Sequence, residues 1–186
     1  SLFNKPLTMA DYLNARVIAD PLHLFDCVMP CAGAEGFLVM SIDRARSLGL
    51  PYVSILASEE IYNAYPDDDI HYRGGWNLFR DALYASAGVG PEEIDLLQTY
   101  DDYPVIVMLQ LEDLGFCEKG GAAQFIKKNN LNWDGGALPH NTAGGQLSAG
   151  QAGAAGGFIG LVESIRQLTD RALGNAVSNA SISLVS

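Results

Sequence analysis

Residues 135–162 form one long stretch without a charged side chain, and this stretch constrains the fold more than any other feature. Gly and Ala fill 11 of the 15 positions from Ala143 to Gly157. The stretch is long enough to cross a bilayer, for which about 20 apolar residues suffice. However, Pro139 interrupts it, and it contains Asn141, Thr142 and two glutamines. We therefore expect it to be buried inside a protein and not to span a membrane.

The segments around this stretch alternate between strand and helix patterns. Short apolar runs predict buried strands, apolar positions at helical spacing predict helices, and Gly or Pro separates them. This order predicts a single α/β domain over 1–186, with a layered mixed sheet and packed helices. The predicted helices are 9–14, 41–48, 76–87, 105–114, 120–128 and 152–168, and the predicted strands are 36–40, 52–57, 94–99 and 179–185.

The charge balance excludes several classes of partner. The chain has 11 basic and 22 acidic residues, which gives a net charge of −11. Such a chain lacks the basic surface that nucleic acids or anionic membranes attract. Its three cysteines are too few for a disulfide framework, and a reducing, cytoplasmic location is expected. The spacing of Cys27 and Cys31 lacks a second pair of ligands, so no metal site is predicted.

The glycine-rich segment permits two interpretations. A helix that begins near Ala152 would point its free N–H groups at whatever precedes it, which suits a thioester oxygen or a developing oxyanion. Alternatively, small residues allow a helix to pack closely in a protein interior. Composition alone favours the second interpretation.

The order of residues in this segment resembles a known family. Asn141-Thr142-Ala143-Gly144-Gly145, followed by Leu147-Ser148-Ala149-Gly150-Gln151, is similar to the late glycine block of the thiolase superfamily. The match is strongest to the sterol-carrier-protein-type thiolases, also called non-specific lipid-transfer proteins. Further matching islands keep the order of the family along the chain, at 11–16, 18–22, 25–27, 32–34 and 114–117.

The resemblance implies the C-terminal half of a two-half αβαβα enzyme. The first half and a last hairpin of such an enzyme would lie outside 1–186. The implied substrate is a coenzyme A thioester, with no tightly bound cofactor. The implied partners are an N-terminal thiolase half and further copies in a homo-oligomer. Cys27, Cys31 and Cys117 fall in neither cysteine motif of the family, and Cys117 is expected in the core.

Two departures from the family pattern bear on the chemistry. Gln151 stands where thiolases of this type have the histidine of Gly-His-Pro, and Tyr100 stands where they have another histidine. A related branch, the steroid side-chain aldolases, has tyrosine at the second position, cleaves β-hydroxyacyl-CoA by retro-aldol reaction and associates with a small OB-fold protein. The predicted catalytic residues are therefore Tyr100 and Gln151. The predicted substrate-binding residues are His140, Asn141, Gly144, Gly145 and Gly150.

Other interpretations remain open at this point. Tyr100 can simply form a hydrogen bond at the end of a strand, because a likeness of fold does not determine chemistry. A chain without both histidines could bind acyl-CoA or a partner without catalysis, or serve only in subunit assembly. The loop at 59–75, with His71, could cover a pocket or contact a partner, whereas the acidic run 67–69 is expected to be a solvated loop.

Overall fold

The computed structural model describes residues 6–69 and 72–186, so His71 lies outside the described residues. Within them, the regular elements are short helices and short strands. The helices are α1 (Met9–Leu13), α2 (Ile42–Ser47), α3 (Trp76–Ala87), α4 (Pro104–Asp113), α5 (Ala122–Lys128), α6 (Gly145–Ala149) and α7 (Phe158–Leu168). The strands are β1 (Val17–Ala19), β2 (Leu22–His23), β3 (Leu96–Gln98) and β4 (Ser183–Val185).

Local sequence signals determine where several of these helices begin and end. The Thr8 hydroxyl accepts a hydrogen bond from the Asp11 N–H at the start of α1, and Ser41 caps α2 in the same way. Gly88 ends α3 in the left-handed conformation, with φ +72°. The helices predicted at 9–14, 41–48, 76–87, 105–114 and 120–128 are confirmed.

Strand β3 lies at the centre of the described fold, between helices on both faces. It pairs in parallel with β4, and on its other edge the Leu97 N–H donates to the Pro139 carbonyl at 2.9 Å. Side chains alternate between the faces of a strand. Leu97 packs with Tyr84 of α3 and Leu111 of α4, whereas Gln98 faces Gly160 of α7. This arrangement of helix, sheet and helix confirms the predicted α/β class.

The strands predicted at 36–40 and 52–57 are wrong. Neither segment pairs with a strand anywhere in 6–69 or 72–186. Their apolar side chains also remain open to solvent: Leu38 is 81% exposed and Ile55 is 77% exposed. An apolar run becomes a buried strand only when a neighbour takes up its backbone N–H and C=O groups. The described residues therefore form no strand–helix–strand unit around α2.

The helix predicted at 152–168 begins later than expected. Residues Gly153–Gly157 form a 3₁₀ turn, and the α-helix α7 starts only at Phe158. Gly153 has φ +57°, which an α-helix cannot contain, and a run of glycines has low helix propensity. The uncharged stretch 135–162 is thus divided among loops and short helices. In the described part of the chain, no helix is long and apolar enough to cross a membrane.

Candidate active site

Tyr100 follows β3, and a buried side chain of α4 holds its backbone. The Gln110 side-chain amide donates to the Tyr100 carbonyl at 2.7 Å and accepts from the Tyr100 N–H at 3.2 Å. These two bonds replace the pairing that a neighbouring strand would supply. Because Gln110 is completely buried, the end of the strand has a fixed position, and the Tyr100 ring is half-buried there.

Gln151 reaches the same place from the glycine-rich segment. Its backbone N–H donates to the Met29 carbonyl at 2.9 Å, and its carbonyl accepts from the Cys31 N–H at 2.9 Å. Gly150, just before it, has φ +95° and ψ 165°, a backbone conformation that is essentially restricted to glycine. Pairing with residues 29–31 and the turn at Gly150 together direct the Gln151 side chain toward Tyr100.

The side chains of Tyr100 and Gln151 are in direct contact. Gln151 Nε2 donates a hydrogen bond to Tyr100 Oη at 2.6 Å. Since the phenol uses its oxygen in this bond, its own proton can go to a third group. Burial, followed by the negative charge of Asp102, raises the pKa of Tyr100, and the bond from Gln151 opposes that rise. The Tyr100 side chain is therefore a protonated phenol at neutral pH.

Asp101, the next residue, attaches the glycine block to β3. Its buried carboxylate accepts from the Gln146 N–H at 2.6 Å and from the Leu147 N–H at 3.3 Å, at the start of α6. Gly145 has φ +60°, and a Cβ atom on it would lie 2.0 Å from Asp101 Oδ2. Burial raises the pKa of Asp101, although the backbone N–H bonds oppose the shift. Only glycine at position 145 lets the carboxylate approach α6 so closely.

His140 and Asn141 bond to the end of β3. Asn141 Oδ1 accepts from the Thr99 N–H at 2.9 Å, and Asn141 Nδ2 donates to the Thr99 carbonyl at 3.1 Å. His140 Nε2 lies 2.7 Å from Thr99 Oγ1, and burial lowers the pKa of His140 to about 4. The ring is thus neutral at pH 7. Both residues hold the glycine block in place, and their part in substrate binding stays a prediction.

A buried polar cluster joins the glycine block to α7. The Thr142 hydroxyl donates to Glu163 Oε1 at 2.6 Å and accepts from Gln98 Nε2 at 3.1 Å and from Gln167 Nε2 at 3.2 Å. Gln167 Nε2 also donates to Glu163 Oε1 at 2.7 Å. The sequence analysis missed this cluster because its members come from β3, the glycine block and α7, and no local spacing connects them.

All the predicted site residues lie at one junction, where the end of β3 meets the glycine block. Gly144, with φ +96°, makes the turn into α6, and a Cβ atom on it would lie 2.8 Å from Ser148 Cβ. A small recess of about 10 Å³ lies at the same junction. The residues that line it include Tyr100, Asp101, Asn141, Gly145, Gln146 and Gly156. Of these, the sequence analysis had not selected Gln146 or Gly156, and it had not expected Asp101 to hold α6.

The three cysteines are free and half-buried. Cys117 packs against the core cluster around Leu97 and Leu111, which confirms its predicted place in the core. Burial raises the pKa of the Cys117 thiol, so its reactive thiolate form is disfavoured.

Comparison with known proteins identifies the family. The model of the family described as "Thiolase C-terminal domain-like" matches residues 77–186. The match covers more than half of the chain and contains β3, Tyr100, the glycine block and Gln151.

Two curated relatives and one solved structure are similar over most of the chain. The chain is 36% identical to a steroid side-chain-cleaving aldolase from Thermomonospora curvata, over 88% of this chain and 43% of that protein. It is also 36% identical to a 17-hydroxy-3-oxo-4-pregnene-20-carboxyl-CoA lyase from Mycobacterium tuberculosis, over 89% of this chain and 44% of the other. A solved structure titled "Ltp2-ChsH2(DUF35) aldolase" superposes with a TM-score of 0.79 at 31% identity, over 97% of this chain and 48% of that one.

The chain spans less than half the length of each of these proteins. The family model and the two curated relatives agree with the resemblance in the glycine block and with the fold described above. The chain therefore belongs to the thiolase superfamily, in the family of its C-terminal domain.

Proposed function

We propose that this chain supplies the proton donor of a thiolase-fold enzyme that cleaves a β-hydroxyacyl coenzyme A thioester by retro-aldol reaction. The observation that carries the proposal is the contact between Tyr100 and Gln151. These residues stand where the resemblance places the two histidines of thiolysis. Gln151 has no titratable proton, and the raised pKa keeps Tyr100 protonated at neutral pH, so its phenol cannot take up a further proton. The pair suits proton donation better than the proton abstraction that thiolysis requires.

The proposed reaction has one proton removed and one proton supplied. A base takes the proton of the β-hydroxyl group, the bond between the α- and β-carbons breaks, and the carbonyl product leaves. The electron pair of that bond remains on the thioester fragment as an enolate. Tyr100 then gives its phenolic proton to the α-carbon. The N–H group of Gln151, already bonded to Tyr100 Oη, stabilises the phenolate that results. The base lies outside this pair, in another part of the complete enzyme, and its proton returns through solvent to the Tyr100 phenolate, which restores both groups.

The proposal includes two kinds of partner. The described domain packs against an N-terminal thiolase half, and copies of the resulting enzyme form a homo-oligomer. Two observations support it. The apolar residues of the segments 36–40 and 52–57 are exposed, and isolated soluble domains seldom expose contiguous apolar surface. An open groove of about 850 Å³ also lies between residues 53–61, α3 and α7. A small OB-fold protein in the same assembly stays a prediction from the resemblance.

The substitution Tyr100→Phe tests the proposal because it removes only the hydroxyl group. In the complete enzyme we expect turnover of a β-hydroxyacyl-CoA to fall by ~10²–10⁴, with little change in KM. The matched control is Tyr103→Phe, which deletes a nearby phenol that forms no part of the pair. Full activity of the Tyr100→Phe enzyme would exclude proton donation by Tyr100.

The substitution Gln151→Glu tests the role of the amide. A carboxylate at this position accepts from the Tyr100 hydroxyl, so it should raise the pKa of Tyr100 further and destabilise the phenolate. We expect lower turnover and a basic limb of the pH–rate profile that moves to higher pH. An unchanged profile would show that Gln151 does not affect the titration of Tyr100.

A further inference from the structure

Tyr100 stands beyond the end of the paired strand, and side-chain amides hold the chain up to it. The pairing of β3 with β4 ends at Gln98. After it, the Asn141 amide bonds to both backbone groups of Thr99. The Gln110 amide then bonds to both backbone groups of Tyr100. Each amide thus exchanges two hydrogen bonds with the chain, as a residue of a neighbouring strand would.

The Gln110 amide forms all four hydrogen bonds of which it is capable. Its Nε2 donates to the Tyr100 carbonyl at 2.7 Å and to the Ile106 carbonyl at 3.1 Å. Its Oε1 accepts from the Tyr100 N–H at 3.2 Å and from the Ser186 hydroxyl. The reverse orientation of the amide would set Nε2 against the Tyr100 N–H and Oε1 against two carbonyl oxygens. Only one orientation of this side chain therefore fits.

Packing alone would hold helix α4 in place without this amide. Leu111, the next residue of α4, is fully buried in the core cluster with Leu97 and Tyr84. Gln110 is also fully buried, and a polar group in such a place costs stability unless it is bonded. An apolar side chain of similar length would avoid this cost, but it would leave the N–H and C=O groups of Tyr100 without the Gln110 bonds. The amide is therefore placed for Tyr100.

We propose that Gln110 is a positioning residue of the proposed retro-aldol reaction, an assignment that rests on the proposed function. Its amide fixes the backbone from which the Tyr100 side chain extends, and so keeps Tyr100 Oη at 2.6 Å from Gln151 Nε2. The phenol oxygen lies at the far end of a rigid ring, so a small rotation of the Tyr100 backbone moves it much further than the backbone atoms. A displacement of about 1 Å can lower turnover by ~10².

The crystal structure of the complete enzyme with Gln110→Met tests the positioning without an activity measurement. Methionine is similar in length and apolar, so it fills the space and removes all four bonds. We expect the distance between Tyr100 Oη and Gln151 Nε2 to rise from 2.6 Å to beyond the hydrogen-bond range, about 3.5 Å. An unchanged distance would overturn the assignment.

Kinetics with 3-hydroxyoctanoyl-CoA test the consequence for the reaction. In Gln110→Met, turnover per folded enzyme should fall by ~10² with little change in KM, because the contacts of the substrate are retained. The matched control is Asp95→Ala at the other end of β3, where the carboxylate accepts from the N–H groups of Ser181 and Ile182 at 2.8 Å and 2.9 Å. The control should leave turnover and KM unchanged. Full turnover in Gln110→Met, or an equal loss in the control, would count against positioning by Gln110.

Gln110→Glu gives a signature in the pH dependence and covers the case in which the methionine variant does not fold. A protonated carboxyl group can donate to the Tyr100 carbonyl and accept from the Tyr100 N–H, whereas a carboxylate has no proton to donate. Burial raises the pKa of the introduced carboxyl group above its usual value of about 4.3. Asp101 and Asp102, whose charges act on Tyr100, are the same in both enzymes. Turnover of the variant should fall as the pH rises through the raised pKa, and the absence of this limb would contradict the assignment.

A double variant tests whether Gln110 acts through the contact with Gln151. Gln151→Ala removes the amide that bonds to the phenol. If Gln110 serves to keep the phenol on this amide, the two substitutions together should lower turnover by less than the product of their separate effects. Effects that multiply would show that Gln110 acts by another route, and the assignment would fail.

Failure of this assignment and failure of the proposed function give different results. If Gln110→Met moves the phenol away from Gln151 but the parent enzyme cleaves no carbon–carbon bond, the retro-aldol proposal is wrong and Gln110 still positions Tyr100. If Tyr100→Phe abolishes cleavage while Gln110→Met changes neither the distance nor the turnover, the assignment fails and the proposed function stands.

Discussion

One added methyl group at Gly145 would show how strongly the glycine block is held to β3. Gly145 has φ +60°, and the Cβ atom of an alanine there would lie 2.0 Å from Oδ2 and 2.5 Å from Cγ of Asp101. The carboxylate cannot turn aside without cost, because it is buried and accepts from the N–H groups of Gln146 and Leu147. Gly145→Ala must therefore displace Asp101 or unwind the first turn of α6.

The magnitude follows from two contributions. The left-handed conformation costs an alanine about 1–2 kcal/mol. A hydrogen bond to a charged group is worth about 1.5–3 kcal/mol, and the bond from Gln146 is short while that from Leu147 is long at 3.3 Å. We expect Gly145→Ala to lower the free energy of unfolding by about 3–5 kcal/mol. That is a large part of the ~5–15 kcal/mol typical of a domain.

The assay is urea unfolding followed by circular dichroism, with Gly88→Ala as the matched control. Gly88 is also left-handed, with φ +72°, but nothing lies within 4 Å of the Cβ atom that an alanine would add. The control therefore carries only the backbone cost, about 1–2 kcal/mol. Comparing the two variants isolates the contact between position 145 and Asp101.

A double-mutant cycle then identifies the contact partner. When Asp101→Ala has already removed the carboxylate, Gly145→Ala should cost only about 1–2 kcal/mol. Equal losses for Gly145→Ala and Gly88→Ala would refute the reasoning. The same conclusion would follow if the cost of Gly145→Ala were unchanged in the Asp101→Ala background.

Two further predictions concern the core and the pH dependence of stability. Leu97→Ala should lower the free energy of unfolding by about 2–5 kcal/mol because Leu97 is fully buried. The control Leu38→Ala, at an exposed position, should change it by less than about 0.5 kcal/mol. Similar losses for the two variants would contradict the described core. Burial lowers the pKa of His140 to about 4 in the folded state, whereas the pKa in the unfolded chain is near 6.5. Below pH 6.5 the unfolded chain therefore takes up a proton that the folded protein does not. The folded state has its full stability above pH 6.5 and loses stability as the pH falls toward 4. Urea unfolding across this window should show a loss of up to about 3 kcal/mol that His140→Asn lacks, and an identical pH dependence in both proteins would rule out the titration of His140 as its cause.

The sequence alone was sufficient for features that depend on near neighbours. A cap such as Ser41 acts on the N–H of Arg44, and Gly88 ends a helix through its own backbone, so both are visible in a short window. The strand over Leu96–Gln98 was predictable because it is apolar and bounded by turn signals. The family was also readable, since the order of residues in the glycine block is specific. That block selected Gln151, and the likeness to a second family motif selected Tyr100.

The limits of the sequence analysis appeared where a feature depends on distant residues. The runs at 36–40 and 52–57 have strand composition, but whether such a run becomes a strand depends on a neighbour that composition does not reveal. The helix expected from residue 152 failed for a local reason that was overlooked, the left-handed glycine at position 153.

Only the tertiary structure decided the chemistry of the candidate site. It placed Gln151 Nε2 at 2.6 Å from Tyr100 Oη and put the Asp101 carboxylate 2.6 Å from the Gln146 N–H at the start of α6. Each of these facts is a distance between groups that lie far apart along the chain. Hydrogen bonds require their atoms within about 3 Å and in a suitable direction. Residue order can name such atoms, but only the folded backbone brings them to that distance.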